Sequence, residues 1–206
     1  MSQQPENVPS VNSDEPSVNP PLRPNQDIVP SGNSEEPQLS EAQIAADGER
    51  LNYYRPLFNA ATIGDWKTAK SFIDRDRNAL TATILANSAR TVLHVAAVNC
   101  QWGFFLKLLE LVSPESIALQ DIHGNTVLHY VARGGSLKIA KALVQKNAHL
   151  PEMINNLGQL PLRDSILGEN KELVWYLTLT TRVESVRPSL LMILRDLVQL
   201  GYLGKN

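Results

Sequence analysis

One cysteine, Cys100, stands in 206 residues, so the chain has no internal disulfide framework, which fits a reducing compartment. Long apolar runs are missing as well. The two most apolar windows, 104–112 and 190–200, are broken by Lys107 and Glu110 and by Arg195 and Asp196. Neither approaches the roughly 18 apolar residues that a membrane span requires. No apolar stretch behind Met1 resembles a signal peptide. Nor is there a strongly basic segment: the net charge is -2, split between an acidic start and a weakly basic remainder, which excludes a nucleic-acid footprint.

Chemistry-bearing patterns are equally scarce. His94, His123, His129 and His149 have no cysteine or acidic partner at a metal-ligand spacing. Cys100 has no signature of a base, an orienting group and an oxyanion donor around it. Gly134 and Gly135 lack the further glycine and the Lys-Ser/Thr ending of a phosphate loop, and read as turn glycines. No catalytic residue, no metal site and no cofactor is therefore expected.

What is present begins with a compositional break. Residues 1–40 hold eight of the 13 prolines, no aromatic residue, and six acidic groups against one basic. So little apolar surface does not offset the cost of ordering the backbone, about 1 to 2 kcal/mol per residue, and the segment reads as a disordered acidic tail. Pro20, Pro21 and Pro24 give it an extended PPLRP stretch. Ser40 with Gln43 forms a capping box that opens a helical lead-in to about Tyr54.

The rest is periodic. Asp121 to Asn147 reads as turn, short helix, tight turn at Gly134 and Gly135, and second helix, with Ile139, Ala140, Leu143 and Val144 at helical spacing. Thr91-Val-Leu-His94 repeats the opening Thr126-Val-Leu-His129, and Leu57, Leu93, Leu128 and Leu162 recur at intervals of 36, 35 and 34 residues. Such a unit cannot bury its apolar stripe alone and must stack on copies of itself. Trp66 and Trp102 share one repeat position, and they and Trp175 read as packing residues. The lysines of the second helices, among them Lys138, Lys141 and Lys171, read as a solvated face.

A period near 33 with a Thr-x-Leu-His opening is the ankyrin signature, and residues 53–178 resemble an ankyrin-repeat array. The phrases GDW (64–66), SPES (113–116) with the following LQD and GNT, and NKELVWYL (170–177) are similar to plant ankyrin proteins that carry a C-terminal membrane PGG domain. The resemblance implies an all-α solenoid of four helix-turn-helix repeats, near 55–88, 90–120, 124–154 and 158–180. The repeats sit in a domain 41–187 and are followed by a capping helix or unfinished fifth repeat, 188–206. That last helix is expected to bury its leucine-rich half and expose Arg195 and Asp196.

Departures from the pattern are visible. Cys100 stands where Gly64 and Gly135 make left-handed turns, with Asn99 beside it able to take part of the strain. In repeat four, Leu160 replaces the Thr, Arg163 the His, and Gly168 lies one position early.

By the same resemblance, Thr91 with His94 and Thr126 with His129 are structural, each pair tying a helix start to its own turn and to the next repeat. The partner-binding face is implied at Asn59, Val95, Ile122, His123, Asn125, Tyr130, Arg133 and Asp164, with Tyr130 and Arg133 as exposed anchors. The implied function is non-enzymatic protein-protein binding by a monomer. Its partners are other proteins, not nucleic acid, and its setting is intracellular stress or defence signalling, cytoplasmic or at the cytoplasmic side of the plasma membrane. The alternative is a soluble fragment of a multi-pass membrane ankyrin protein whose further domain carries the activity. For the tail, amide hydrogen exchange is expected to be fast throughout 1–40, and protection matching that of the repeats would overturn its reading.

Overall fold

The computed structural model describes residues 41–85 and 88–202; the acidic tail, its PPLRP stretch and the Ser40 cap lie outside the described residues. Ten α-helices follow in order: α1 (Glu41–Ile63), α2 (Trp66–Arg75), α3 (Val92–Val98), α4 (Trp102–Leu111), α5 (Val127–Arg133), α6 (Leu137–Lys146), α7 (Pro161–Leu167), α8 (Lys171–Thr180), α9 (Val183–Val186) and α10 (Leu190–Gln199). No strand occurs among the described residues; an isolated antiparallel bridge joins Leu85 and Arg90.

The helices form two rows. α1, α3, α5, α7 and α10 pack side by side as an inner row, and α2, α4, α6 and α8 back them in an outer row. Between the rows runs one continuous apolar core, in which Leu57, Leu93, Leu128 and Leu162 sit at equivalent depth with Ile73, Phe105, Leu108, Ile139, Leu143 and Leu173. The 34- to 36-residue leucine period is thus the pitch of the stack.

The first repeat departs from a separate lead-in followed by an inner helix: α1 is one helix of 23 residues that runs through both. Pro56 stands inside it, at the place where Pro161 opens α7. Proline lacks an N–H and is at home in a first turn. In α1 the helix continues across it, and its upstream turns bring Tyr53 and Tyr54 edge-on to each other and onto Phe72 of α2.

Each tight turn between inner and outer helix places one residue in the left-handed region: Gly64 at φ 79°, Cys100 at 52°, Gly135 at 76° and Glu169 at 55°. The neighbour of Cys100 takes none of this, since Asn99 has φ -91° and its side-chain amide donates to the Val95 carbonyl at 2.9 Å. Repeat four is offset for a different reason. Gly168 has ordinary helical φ, and a Cβ there would lie 2.5 Å from the Arg133 carbonyl oxygen. Its glycine serves the close pass between α5 and α7, and the left-handed conformation falls to Glu169.

Two further expectations are corrected. Trp175 is not a packing residue but 68% exposed. On α10 the buried residues are Ile193 and Asp196, with Leu197 partly covered, while Leu191 and Val198 face solvent. The cause is Arg163, whose Nε donates to Asp196 Oδ2 at 2.7 Å and turns the carboxylate inward. Arg195 donates to the other oxygen, and Ser189 Oγ–H ties the helix start to the Gly158 carbonyl at 3.0 Å.

The turns yield opposite expectations for substitutions one residue apart. Cys100→Gly and Glu169→Gly relieve left-handed strain and are each expected to stabilise the array by about 1 kcal/mol. Gly168→Ala is expected to lower the urea midpoint, because the atom it meets is backbone and cannot swing away. A lower midpoint for Cys100→Gly would show that the thiol contributes packing that outweighs the strain.

Candidate functional site

The site is built from hairpin-like loops that project between repeats. In the third repeat Asp121 Oδ1 accepts the backbone N–H groups of His123 and Asn125, both at 2.9 Å. Asn155 Oδ1 does the same in the fourth for Leu157 and Gln159, both at 3.0 Å. An Asx residue that accepts from its own loop fixes the loop's shape, and Gly124 and Gly158 supply the left-handed residue each loop needs. Neighbouring loops are stitched together by backbone: Ile122 N–H donates to Ser88 O at 3.1 Å, and Asn156 N–H to His123 O at 2.9 Å. A Cβ on Gly124 would lie 2.6 Å from the Asn156 nitrogen, so this contact requires glycine.

Beneath the loops the inner helices are clamped. Thr91 and Thr126 are N-caps with reciprocal bonds to His94 and His129. His94 Nε2 meets the Asn125 carbonyl at 3.2 Å, and His129 Nε2 meets that of Gln159 at 3.1 Å. A carbonyl only accepts, so Nε2 carries the proton and Nδ1 accepts from the Thr backbone N–H and hydroxyl. Burial lowers the pKa of both imidazoles, that of His94 to about 4. Both are neutral at neutral pH.

Tyr130 links the clamp to the loop. Its hydroxyl donates to Asp121 Oδ2 and accepts from Arg90 Nη2 at 2.9 Å, and its ring stands edge-on to His94. Arg90 also lies over the ring, 5.1 Å from its centroid. Burial opposes the Asp121 charge, yet the bonds from Tyr130, Asn125 and His123 outweigh it and hold the carboxyl below its usual range.

A cleft of about 460 Å³ opens between these loops and the inner helices. It brings together five of the residues expected at the binding face: His123, Asn125, Tyr130, Arg133 and Asp164. Ile122 is exposed at the adjoining loop tip, whereas Asn59 lines a separate hollow with Leu51, Arg55, Phe58 and Ile84. Val95 is not on the face at all. It is 3% exposed, because seven-residue α3 is enclosed by α1, α4 and α5. Asp164, expected to be free, is buried and accepts from Arg133 Nε at 3.2 Å and Nη2 at 2.7 Å. Tyr130 is half-buried and structural, not an exposed anchor. Arg133 is exposed over 60% of its side chain.

Asn155, Asn156, Leu157 and Gln159 complete the cleft and were not singled out in the sequence. The signal was there in the paired loops Asp121-Ile-His-Gly-Asn125 and Asn155-Asn-Leu-Gly-Gln159, whose Asx and Gly spacing is identical. Arg90 had no such signal, since its role depends on a tyrosine 40 residues away.

Residues 100–185 match the family model for ankyrin repeats, in three copies. These residues carry ankyrin repeats. The fold has a structural neighbour, a chain in the crystal structure of the yeast ribosomal protein Rps3 in complex with its chaperone Yar1. It superposes with a TM-score of 0.55 at 22% identity, over 62% of this chain and 91% of that one. A search of curated proteins finds no match. Ankyrin repeats are protein-interaction modules. Among the described residues no group of three or more His, Cys, Asp or Glu is placed to hold a metal ion.

The clamp makes stability depend on pH in a definite direction. An unfolded His titrates near 6.5 and His94 in the fold at about 4, so below 6.5 the unfolded chain takes the proton first. The stabilisation is complete above about pH 7.5 and is lost as pH falls from 6.5 toward 4, about 2 to 3 kcal/mol by pH 4.5 from His94 alone, with His129 adding in the same direction. Asp121 and Asp196, held below the usual carboxylate range, lose their contribution only below about pH 4. Urea midpoints between pH 7.5 and 4.5 check this, and a flat profile would contradict the neutral, buried assignment.

Proposed function

We propose that the chain is a non-enzymatic binding module, acting as a monomer, whose protein partner seats in the cleft of repeats three and four with Arg133 as its anchor. The observation that carries this reading is the Arg133–Asp164 pair. Asp164, itself buried, takes two of the guanidinium N–H groups on one oxygen and fixes the side chain, while the remaining donors stay open to the cleft. A guanidinium held this way has already lost much of its rotamer freedom before a partner arrives, which lowers the cost of binding. His123 and Asn125 supply further polar groups beside it, and Ile122 and Leu157 offer exposed apolar contacts at the loop tips. The yeast neighbour is itself a complex of one protein with another.

The family phrases in 113–126 and 170–177 support a setting in intracellular stress or defence signalling, in the cytoplasm or at the cytoplasmic side of the plasma membrane. No described helix is long and apolar enough to cross a membrane, so contact with a membrane in that setting would be through its partner.

The test is affinity capture with the full chain, followed by titration of the purified captured protein against wild type and Arg133→Ala. The substitution is expected to weaken binding by about tenfold or more; because it leaves the buried Asp164 carboxylate without its cation it is also expected to lower the melting temperature, so the titration is run well below the melting transition of both proteins. Equal affinity of the two would remove Arg133 from the interface and this reading with it.

A further inference from the structure

The outer row carries a second surface that faces away from the cleft. At the first turn of successive outer helices the sequence places Trp66, Trp102, Leu137 and Lys171. Each tryptophan covers the first-turn end of the groove beside it; further along, α4 and α6 leave a smaller hollow of about 310 Å³. Trp66 meets the edge of Phe104 with ring centroids 5.7 Å apart, and Lys107 lies over it; Trp102 packs where a Cβ on Gly134 would come within 2.9 Å of its ring. Leu137 is too small to do the same. Between α6 and α8 a groove of about 590 Å³ therefore stays open, lined by Leu137, Lys141, Lys171, Trp175, Tyr176 and Leu179.

Its composition is unlike the rest of the outer face. Trp175 occupies the position held by Lys70, Leu106 and Lys141 in the other repeats, and it is 68% exposed; Leu179, one turn on, is 69% exposed. Tryptophan with two-thirds of its surface in water holds a large unrealised burial, and such residues dominate binding energy where a partner covers them. Lys141 stands 5.7 Å from the Tyr176 ring centroid and Lys171 continues the Trp175–Leu179 ridge, against one carboxylate, Glu172. The groove is apolar along its floor and cationic at its walls.

We infer that this groove docks an acidic amphipathic helix of a partner protein, its apolar stripe against Trp175 and Leu179 and its carboxylates on Lys141 and Lys171. The walls are helices whose backbone bonds are made internally, so no edge is offered to an added strand and recognition runs through side chains. A hollow between two ten-residue helices accepts a convex rod, whereas a lipid surface calls for a flat or protruding face rich in cations. A second copy of this chain does not supply the match. The ridge it exposes on α10, Leu191 with Val198, brings the exposed Arg195, while Asp196 is buried.

The experiment titrates the full chain into a fluorescein-labelled peptide of about 18 residues with leucine at helical spacing and glutamate elsewhere, read by anisotropy. Saturable binding is expected that weakens with salt and falls about tenfold or more in Trp175→Ala and in Lys141→Glu with Lys171→Glu. Arg133→Ala is expected to bind the peptide as wild type does, which separates this surface from the cleft. A peptide of the same composition with its leucines dispersed is expected to bind far more weakly. Unchanged melting temperatures establish that the groove variants are folded, and Arg133→Ala is used below its melting transition; if the double Glu variant melts early, Lys141→Gln with Lys171→Gln replaces it.

Three results would overturn the proposal. One is equal binding of the dispersed peptide, or of the variants. Another is no peptide binding with Trp175-dependent adsorption to phosphatidylcholine vesicles containing phosphatidylserine, which assigns the groove to a membrane. The last is no peptide binding with self-association that Trp175→Ala abolishes, which assigns it to a second copy.

Discussion

Seven residues make less than two turns of helix, and α3, α5 and α7 are each that long. Helices this short do not persist in water, because fixing the first turn costs more than its few bonds return. The bond from α3 and from α5 to the next repeat's loop is therefore the constraint on which the array rests. His94 and His129 each join an N-cap threonine, on one nitrogen, to a carbonyl about 30 residues ahead, on the other. Both nitrogens are used only when the ring is neutral. Burial supplies that neutrality, and the neighbouring loop supplies the acceptor, so repeats two and three are each completed by the one that follows.

Much of the stack was legible in the sequence, because a leucine period near 35 has few physical explanations and a Thr-x-x-His opening places its partners within one helical turn. The threonine and histidine pairs, the left-handed turn at Cys100 and the inner and outer rows follow from such local signals. What was not legible depends on distant partners. Val95, Tyr130 and Asp164 share one position in three successive helices, and their environments differ: one is enclosed by neighbouring helices, one is bonded to Arg90 and Asp121, and one grips Arg133. Helical periodicity assigns all three to one face and carries no information about what lies across from it. α10 shows the same limit. Its apolar half was readable by angle alone, yet one ion pair with Arg163 rotates the buried side toward Asp196.

Two surfaces follow from two different kinds of irregularity. The cleft arises where the repeats keep their loop chemistry, with Asp121 and Asn155 shaping equivalent turns, and vary the side chains those turns display. The outer groove arises where packing lapses, since Leu137 stands in place of a tryptophan and Trp175 in place of a polar or smaller residue. Regular positions give the scaffold its stiffness, and the exceptions give it its two distinctive surfaces.

The exchange of histidine for arginine in repeat four sets a grammar for how such an array can lengthen over generations. A neutral Nε2–H that seeks a backbone carbonyl is satisfied by the loop of any repeat, so the clamp of a duplicated repeat three, set down behind itself, would still find its acceptor. Arg163 seeks a carboxylate and finds it in Asp196, a side chain that an ordinary repeat does not place there. A copy set down behind repeat four would leave that cation facing a carbonyl, and the displaced Asp196 without its partner. At the clamp, then, a further copy is matched in the middle of the stack and mismatched in charge at this junction.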